Sequence, residues 1–432
     1  MSNTSNDVAW KKLFEKYKIS EEIDAKGFYE ITSSTINEVR QARLMTKFDF
    51  RSQLPKIFSN NNLSILPISR GTYVISDFDT FQDFENNEIE TKKIDFTNNL
   101  QSIDFNNITS ETTALNCAYI SGIIEDFVQD GELQPTVNGR MSSLAFDFNI
   151  NSKKSVVNIN VNNSQIEIDG GYEGIESLNL IEAKNSISKD FLIRQIFYPY
   201  KLWENKITKK VRSLFLTYSN GIFHFREYLF EDPTHYNSLQ LVREKKYVIK
   251  DGAINLELIQ NTLHQVKIAK EPNIPFPQAD SFERVINLCE ILNSEIQISK
   301  NGLLENYDFC LKDSIDPRQV DYYVNAGRYL GLIDRKQENG KAIYFLTESG
   351  QKLFNLSITN RQLKFIELIL SHLTFNKALN LYFEKGEAPN KDEIIGIMKK
   401  LDVYKVEAQS TYKRRSSTII SWINWILDQV EE

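Results

Sequence analysis

Within QIEIDGGYEGIESLNLIEAKN (residues 165–185), two carboxylates and a lysine stand at spacings that suit phosphodiester chemistry. Asp169 closes the run QIEID, and Glu182 and Lys184 sit two residues apart in LNLIEAK. Both runs alternate apolar and polar residues, the period of a strand. That alternation places Gln165, Glu167 and Asp169 on one face, with Ile166 and Ile168 on the other. It likewise sets Glu182 and Lys184 against Ile181 and Ala183. The intervening GGYEGIES, with Gly170, Gly171 and Gly174, is expected to turn the chain and pair the two strands, bringing Asp169 close to Glu182. Facing carboxylates repel, and a hard divalent ion relieves the repulsion; Mg2+ typically takes one or two carboxylates plus water and substrate phosphate. Such an ion polarises a phosphoryl oxygen and stabilises the charge of an in-line displacement. Lys184 is placed to orient or deprotonate the attacking water.

The flanking sequence must position these groups. LAFDFNI and SVVNINV read as strands before the pair, and VRSLFLTYS and IFHFREYLF as strands after it. Between them, SKDFLIRQIFYPYKLWENK carries Phe191, Ile193, Ile196 and Phe197 at helical spacing. The expectation is an α/β core on a mixed sheet over residues 141–270. From Lys184 to Arg212 there are eight Lys/Arg against two acids, the reverse of the whole-chain balance. Residues 1–140 form an N-terminal region of helices and short strands that could contact DNA. There STINEVRQARLMTKFD reads as helix, with Ile36, Val39, Leu44 and Met45 recurring. The segment from Asp77 to Asp104 has eight acids against two lysines and reads as solvated surface. AKEPNIPFPQAD, with three of the ten prolines, reads as a stiff linker.

An acid at a strand end, followed thirteen residues later by Glu-Ala-Lys on the next strand and then a helix, resembles the PD-(D/E)xK nuclease superfamily. Ile168 stands where that signature often has proline. The resemblance implies Asp169 and Glu182 as ligands of Mg2+, with Mn2+ as a substitute, Lys184 as the catalytic lysine, and Gln195 on the following helix near the metal or DNA backbone. Tyr198 or Tyr200 would accompany Gln195, and Gln165 and Glu167 are further candidates to support the cluster. Glu173 in GYEG is either another supporting acid or an ordinary loop residue. More of the chain, including EVRQARLMTKFD, LPKIF and LSILPISRGTYVI, looks like a family of type II restriction endonucleases. That likeness implies sequence-specific cleavage of double-stranded DNA, a homodimer, and a cognate DNA methyltransferase as a separate protein.

Residues 280–357 read as a winged helix-turn-helix: DSFERVINLCEIL, KNGLLENYDF and DPRQVDYYVNAGRYLGLI as helices, then a hairpin turning at Asn339-Gly340. Asp316 caps the third helix with Pro317 at its first position, and Val320, Tyr323, Val324 and Leu330 form its apolar face. The helix would present Arg318, Gln319, Tyr322, Asn325 and Arg328, types that contact bases and phosphates, with Arg335, Lys336 and Lys341 on the wing. Residues 358–432 read as helical, with a second helix-turn-helix plausible. There Lys413, Arg414 and Arg415 open a helix suited to phosphate contact, while Trp422 and Trp425 read as packing.

At 432 residues, 41% hydrophobic and 12% aromatic, the chain can bury several cores. Its net charge of −7 requires that any DNA binding use local basic surface. Cys117, Cys289 and Cys310 are scattered, and His224, His235, His264 and His372 lack ligand spacing, so a His/Cys metal site is not expected. No apolar run suits a signal peptide or a bilayer span, which points to the cytoplasm. Two other readings stay open: a non-catalytic DNA-binding transcriptional regulator whose central sheet is scaffold, and a nuclease acting on modified or branched DNA.

Overall fold

The computed structural model describes residues 4–85, 87–96, 100–153, 155–249, 252–305, 317–401, 403 and 406–431. The chain divides into two compact units. One holds residues up to Ile94 together with Ser110–Val248; the other holds Asp95–Thr109, Ile249–Leu303 and the helices from Pro317 onward. The α/β class is as expected, with a mixed sheet and several helices.

A seven-stranded sheet organises the first unit. Its strands are β1 (Thr91–Ile94), β2 (Gln134–Ser142), β3 (Gln165–Glu173), β4 (Ser177–Lys184), β5 (Lys210–Ser219), β6 (Ile222–Phe230) and β7 (Leu239–Ile249). The order across the sheet is β1-β7-β6-β5-β4-β3-β2. β4 and β5 run parallel, with Glu182 opposite Phe215, and helices α1 (Glu111–Ile120) and α2 (Arg194–Glu204) pack on β4. β3 is antiparallel to both β4 and β2, and β6 to both β5 and β7. In β3 the alternation holds: Gln165 and Glu167 are exposed while Ile166 and Ile168 are buried. In β4 every residue is buried, polar ones included, so each polar group needs a partner. Asn179 donates to the Tyr172 carbonyl at 3.0 Å, and Ser177 Oγ to Asp130 Oδ2 at 2.7 Å.

Four local expectations are corrected. First, Gly170 and Gly171 lie inside β3 and not in the turn. A Cβ on Gly171 would stand 2.7 Å from Val137 Cβ, and one on Gly174 2.6 Å from the Asp130 carbonyl, so these glycines permit close approach of backbones. The turn is held by the Asp130 carboxylate, which accepts from the Glu176 and Ser177 amides. Second, the helix expected from Phe191 begins at Arg194. Asp190–Leu192 is a strand paired with Phe81–Asp83. Third, STINEVRQARLMTKFD is two short helices, Ser33–Asn37 and Ala42–Met45. The Asn37 side chain takes the Ala42 amide at 2.8 Å, a local bond that competes with helix continuation. Fourth, the acidic segment keeps carboxylates such as Asp83 and Glu85 in solvent, yet parts of it form the strand Phe81–Asp83 and the edge strand β1, and Phe78, Thr80 and Phe81 are buried.

LAFDFNI and SVVNINV pair as a separate hairpin, Ala145–Asn151 with Val156–Asn162. Phe148 of this hairpin packs edge-on against Phe197 of α2 at 5.2 Å. The N-terminal residues form helices Ser5–Tyr17 and Ile19–Lys26 and a three-stranded sheet, with Trp10, Phe14 and Phe58 in mutual ring contact.

In the second unit, α3 (Phe282–Glu295), β8 (Gln297–Ser299), α4 (Lys300–Glu305), α5 (Pro317–Tyr329), β9 (Ile333–Glu338) and β10 (Lys341–Leu346) follow in order. The three strands form one sheet, β8-β10-β9. Asn339 and Gly340 both have positive φ, 49° and 74°, as a two-residue hairpin turn of this type requires. Val320, Tyr323, Val324 and Leu330 are buried as expected. The expected cap Asp316, the end of KNGLLENYDF and Cys310 lie outside the described residues. Cys117 and Cys289 are buried thiols.

Among the described residues five further helices follow, the last of them α6 (Gln409–Leu427). Trp422 is 0% exposed, stacks on Phe375 at 5.0 Å and donates its indole N–H to the Ala279 carbonyl at 2.9 Å. Trp422→Ala is expected to destabilise this unit by about 3–5 kcal/mol, the range for removing a large buried aromatic. Urea denaturation of wild type and variant measures it; a shift under about 1 kcal/mol would show that the site collapses around the deletion. Among the described residues no helix is long and apolar enough to cross a membrane.

Candidate active site

The parallel alignment of β4 and β5 leaves the C-terminal end of β4 as the place where α1, α2 and the N-terminal residues meet the sheet. Glu182 and Lys184 stand there, 8% and 7% exposed. Lys184 Nζ donates to Glu182 Oε1 at 2.6 Å, and Gln195 Nε2, from the first turn of α2, donates to the same oxygen at 2.6 Å. Asp169, at the point where β3 meets β4, accepts the Ala183 amide through Oδ2 at 2.8 Å. The structure thus brings together Asp169, Glu182, Lys184 and Gln195.

Two further acids join them that the motif does not contain. Asp49 Oδ2 lies 3.9 Å from Lys184 Nζ, and Glu111 Oε1, at the start of α1, lies 3.7 Å from it. Asp49 is fixed by its backbone: Leu192 N–H donates to its carbonyl at 2.8 Å, and its own N–H donates to Gln53 Oε1 at 2.5 Å. Its side chain is 9% exposed and also lies 3.9 Å from Lys47 Nζ. Asp49 is in FDF, an apolar run with one acid, and Glu111 follows the helix cap Ser110. Neither sequence context distinguishes a site acid from a surface one.

The electrostatics follow from this crowding. Burial, and then the charges of Asp169 and Asp49, push the Glu182 carboxyl well above its ordinary value despite Lys184. Burial pushes the Lys184 ammonium down, but Glu182, Asp49, Glu111 and Asp169 together outweigh it and hold it well above the usual lysine value. One ammonium therefore faces four carboxylates, an arrangement that favours added positive charge.

The donor set suits a hard divalent cation. Gln195 Oε1 is buried with no hydrogen-bond partner among the described residues, an orphaned oxygen beside Glu182. As the side chains stand, no three acidic, imidazole or thiol groups among the described residues are arranged to hold a metal ion, and the Lys184 ammonium occupies Glu182 instead.

Other expected groups lie elsewhere. Tyr198 is fully buried and donates to the Pro67 carbonyl at 3.0 Å, so it packs in the aromatic core. Tyr200 bonds Glu204 at 2.9 Å. Glu173 pairs with Lys209 at 2.8 Å, and Glu167 with Arg140 at 3.2 Å on the edge strand β2. Gln165 is exposed at the far end of β3. The basic stretch 184–212 is largely committed within the unit. Lys201, Lys209 and Arg212 are in ion pairs, and Arg194 and Lys206 lie over Tyr198 and Trp203.

In the second unit Arg318 is exposed, while Gln319, Tyr322, Asn325 and Arg328 are half-buried. Arg328 donates to Asn325 at 3.3 Å. Lys413 and Arg414 are exposed at the start of α6. Arg415 Nε and Nη1 are buried without a hydrogen-bond partner among the described residues, and burial together with Arg414 pushes its guanidinium down to about 10.

Three family models match the chain, each described as a domain of unknown function: DUF6996 over residues 7–75, DUF6997 over 76–248 and DUF7226 over 284–431. No curated protein and no solved structure matches it. The site draws on two of these matched regions: Asp49 lies in the first, and Glu111, Asp169, Glu182, Lys184 and Gln195 lie in the second.

Proposed function

We propose that this chain is a divalent-cation-dependent nuclease of PD-(D/E)xK type that hydrolyses double-stranded DNA at a specific sequence, as type II restriction endonucleases do. The observation that carries the reading is the convergence of Lys184 and Gln195 on one oxygen of buried Glu182, 2.6 Å from each, with Asp169 on the adjoining strand. Asp169 and Glu182 would hold Mg2+, or Mn2+ in its place. The bound ion supplies Lewis-acid activation of the scissile phosphate and its attacking water. Gln195 fixes the Glu182 carboxylate through Nε2, and its buried Oε1 has no hydrogen-bond partner among the described residues. Lys184 orients the attacking water and balances the charge that builds on the phosphoryl oxygens.

The second unit would grip DNA. In support, the order α3, β8, α4, α5, then the β9–β10 hairpin is that of a winged helix, in which α5 is the helix offered to DNA. Arg318, Gln319, Tyr322, Asn325 and Arg328 lie on it, and Arg335, Lys336 and Lys341 are exposed on the hairpin. Lys413, Arg414 and Arg415 would contact phosphates; among the described residues Arg415 in particular lacks a hydrogen-bond partner for its buried Nε and Nη1. A homodimer and a separate cognate methyltransferase belong to this proposal, as does a cytoplasmic location.

The test is incubation of the full chain with unmodified DNA of defined sequence and Mg2+, followed by mapping of the fragment ends. Discrete ends at one recurring sequence are expected. Tight DNA binding with no cleavage of any unmodified, methylated or branched substrate would overturn the reading in favour of a non-catalytic regulator.

A further inference from the structure

The Lys184 ammonium stands where a divalent cation would compete with it. It is 2.6 Å from Glu182, 3.7 Å from Glu111 and 3.9 Å from Asp49. A cation on Glu182 would face this ammonium at a few ångströms, in a site where burial leaves charges poorly screened. The ammonium must then move, and a lysine side chain has the flexibility to do so. Resting on the reading of Asp169 and Glu182 as cation-binding groups, we propose that Lys184 keeps the cation's place at Glu182 and passes to Asp49 when the cation arrives.

Asp49 is suited to receive it. Its carboxylate accepts no hydrogen bond among the described residues, and both its ion pairs, with Lys184 and Lys47, are at 3.9 Å, outside hydrogen-bond reach. Its backbone is held on both sides, by Leu192 and Gln53, so a short movement of Nζ completes the contact. Glu111 is the weaker receiver because its side chain is 39% exposed and water competes for the ammonium. Gln195, 8% exposed and bonded to Glu182 through Nε2, keeps a buried Oε1 without a hydrogen-bond partner among the described residues, an oxygen open to a cation beside Glu182. Asp49 is thus a positioning residue acting through Lys184, and the N-terminal matched region supplies it to a site otherwise built by the central one.

Binding of Tb3+ to the full chain without DNA, followed by its luminescence, tests the exchange independently of activity. Asp49→Asn is expected to weaken Tb3+ binding by about tenfold, within the usual range of coupling between two ligands. Lys184→Met should bind at least as tightly as wild type, and Glu182→Gln should lose the site. In the Lys184→Met background, Asp49→Asn should then have no effect. An equal loss in both backgrounds would make Asp49 a direct ligand and overturn the exchange, as would an Asp49→Asn protein that binds like wild type or a Glu182→Gln protein that binds unchanged. A chain that shows the expected pattern yet cuts no DNA keeps the lysine exchange and loses the nuclease reading.

Discussion

Glu182→Gln is expected to abolish the proposed DNA cleavage, lowering the rate by about a thousandfold or more, on the order of 4 kcal/mol of barrier. The amide keeps the shape of the side chain but removes the charge on which Lys184 and Gln195 converge. It also places an N–H group where a cation requires oxygen. The fold should survive, because Asp49, Glu111 and Asp169 still surround the Lys184 ammonium. DNA binding by the second unit should be unchanged, since none of its DNA-facing candidates lies in this cluster. Single-turnover cleavage and a mobility-shift titration on the same preparation separate the two effects. Full cleavage activity in Glu182→Gln would remove Glu182 from the chemistry. Lys184→Ala should lose cleavage to a similar degree, but for a different reason: the ammonium that orients the attacking water and balances charge on the phosphoryl oxygens is gone, while the acids that hold the cation remain.

Glu227→Ala has the largest expected effect on stability in the first unit, about 3–5 kcal/mol, the range for removing one partner from a buried ion pair. Glu227 on β6 receives Arg212 Nη2 from β5 at 2.7 Å and Arg243 Nε from β7 at 2.8 Å. Both arginines also reach the Val128 carbonyl, so the cluster ties three strands to the helix ahead of β2. Its side chain is 8% exposed and that of Arg212 is 11% exposed. Removing the carboxylate therefore leaves a buried guanidinium without its counter-charge. Burial pushes the Glu227 carboxyl up, but the Arg212 and Arg243 contacts prevail and hold it below the ordinary value. With the folded-state value depressed, the contribution is fully present above the unfolded-state value, roughly 4.3. It is lost as pH falls through the folded-state value. Urea denaturation should show the wild type and Glu227→Gln differing at neutral pH and converging in acid. A difference that grew on acidification would contradict the assigned sign.

Local pattern is what the sequence determined. Alternation in QIEID fixed a strand with one buried face, which must put every second residue inside, whereas LNLIEAK, though its residue types also alternate, is a strand buried on both faces. Spacing then fixed Asp169, Glu182 and Lys184 as neighbours. Helical spacing placed Gln195 on a following helix, and Asn339-Gly340 marked the β9–β10 hairpin because a two-residue turn of that type demands positive φ at both positions. The edge strands β1 and β2 were not legible, since an edge strand does not require alternation; in β2 only Val137 is fully buried.

Tertiary structure decided what converges from a distance. Asp49 lies more than a hundred residues before Lys184 and carries no periodic signal; the Leu192–Asp49 bond, with the neighbouring Arg51 bonded to Asp190, brings it to the site. Glu111 arrives because α1 packs on β4. Tertiary structure also took groups away from the site. Tyr198, expected beside Gln195, is instead buried in the aromatic core against Phe146, and Phe191, which fits a helical pattern, lies in a strand, where packing against Phe84 and Phe215 outweighs local spacing. Sequence alone determines which side chains share a strand face or a helix face. Which faces meet, and so which charges must be balanced together, depends on packing between segments far apart in the chain.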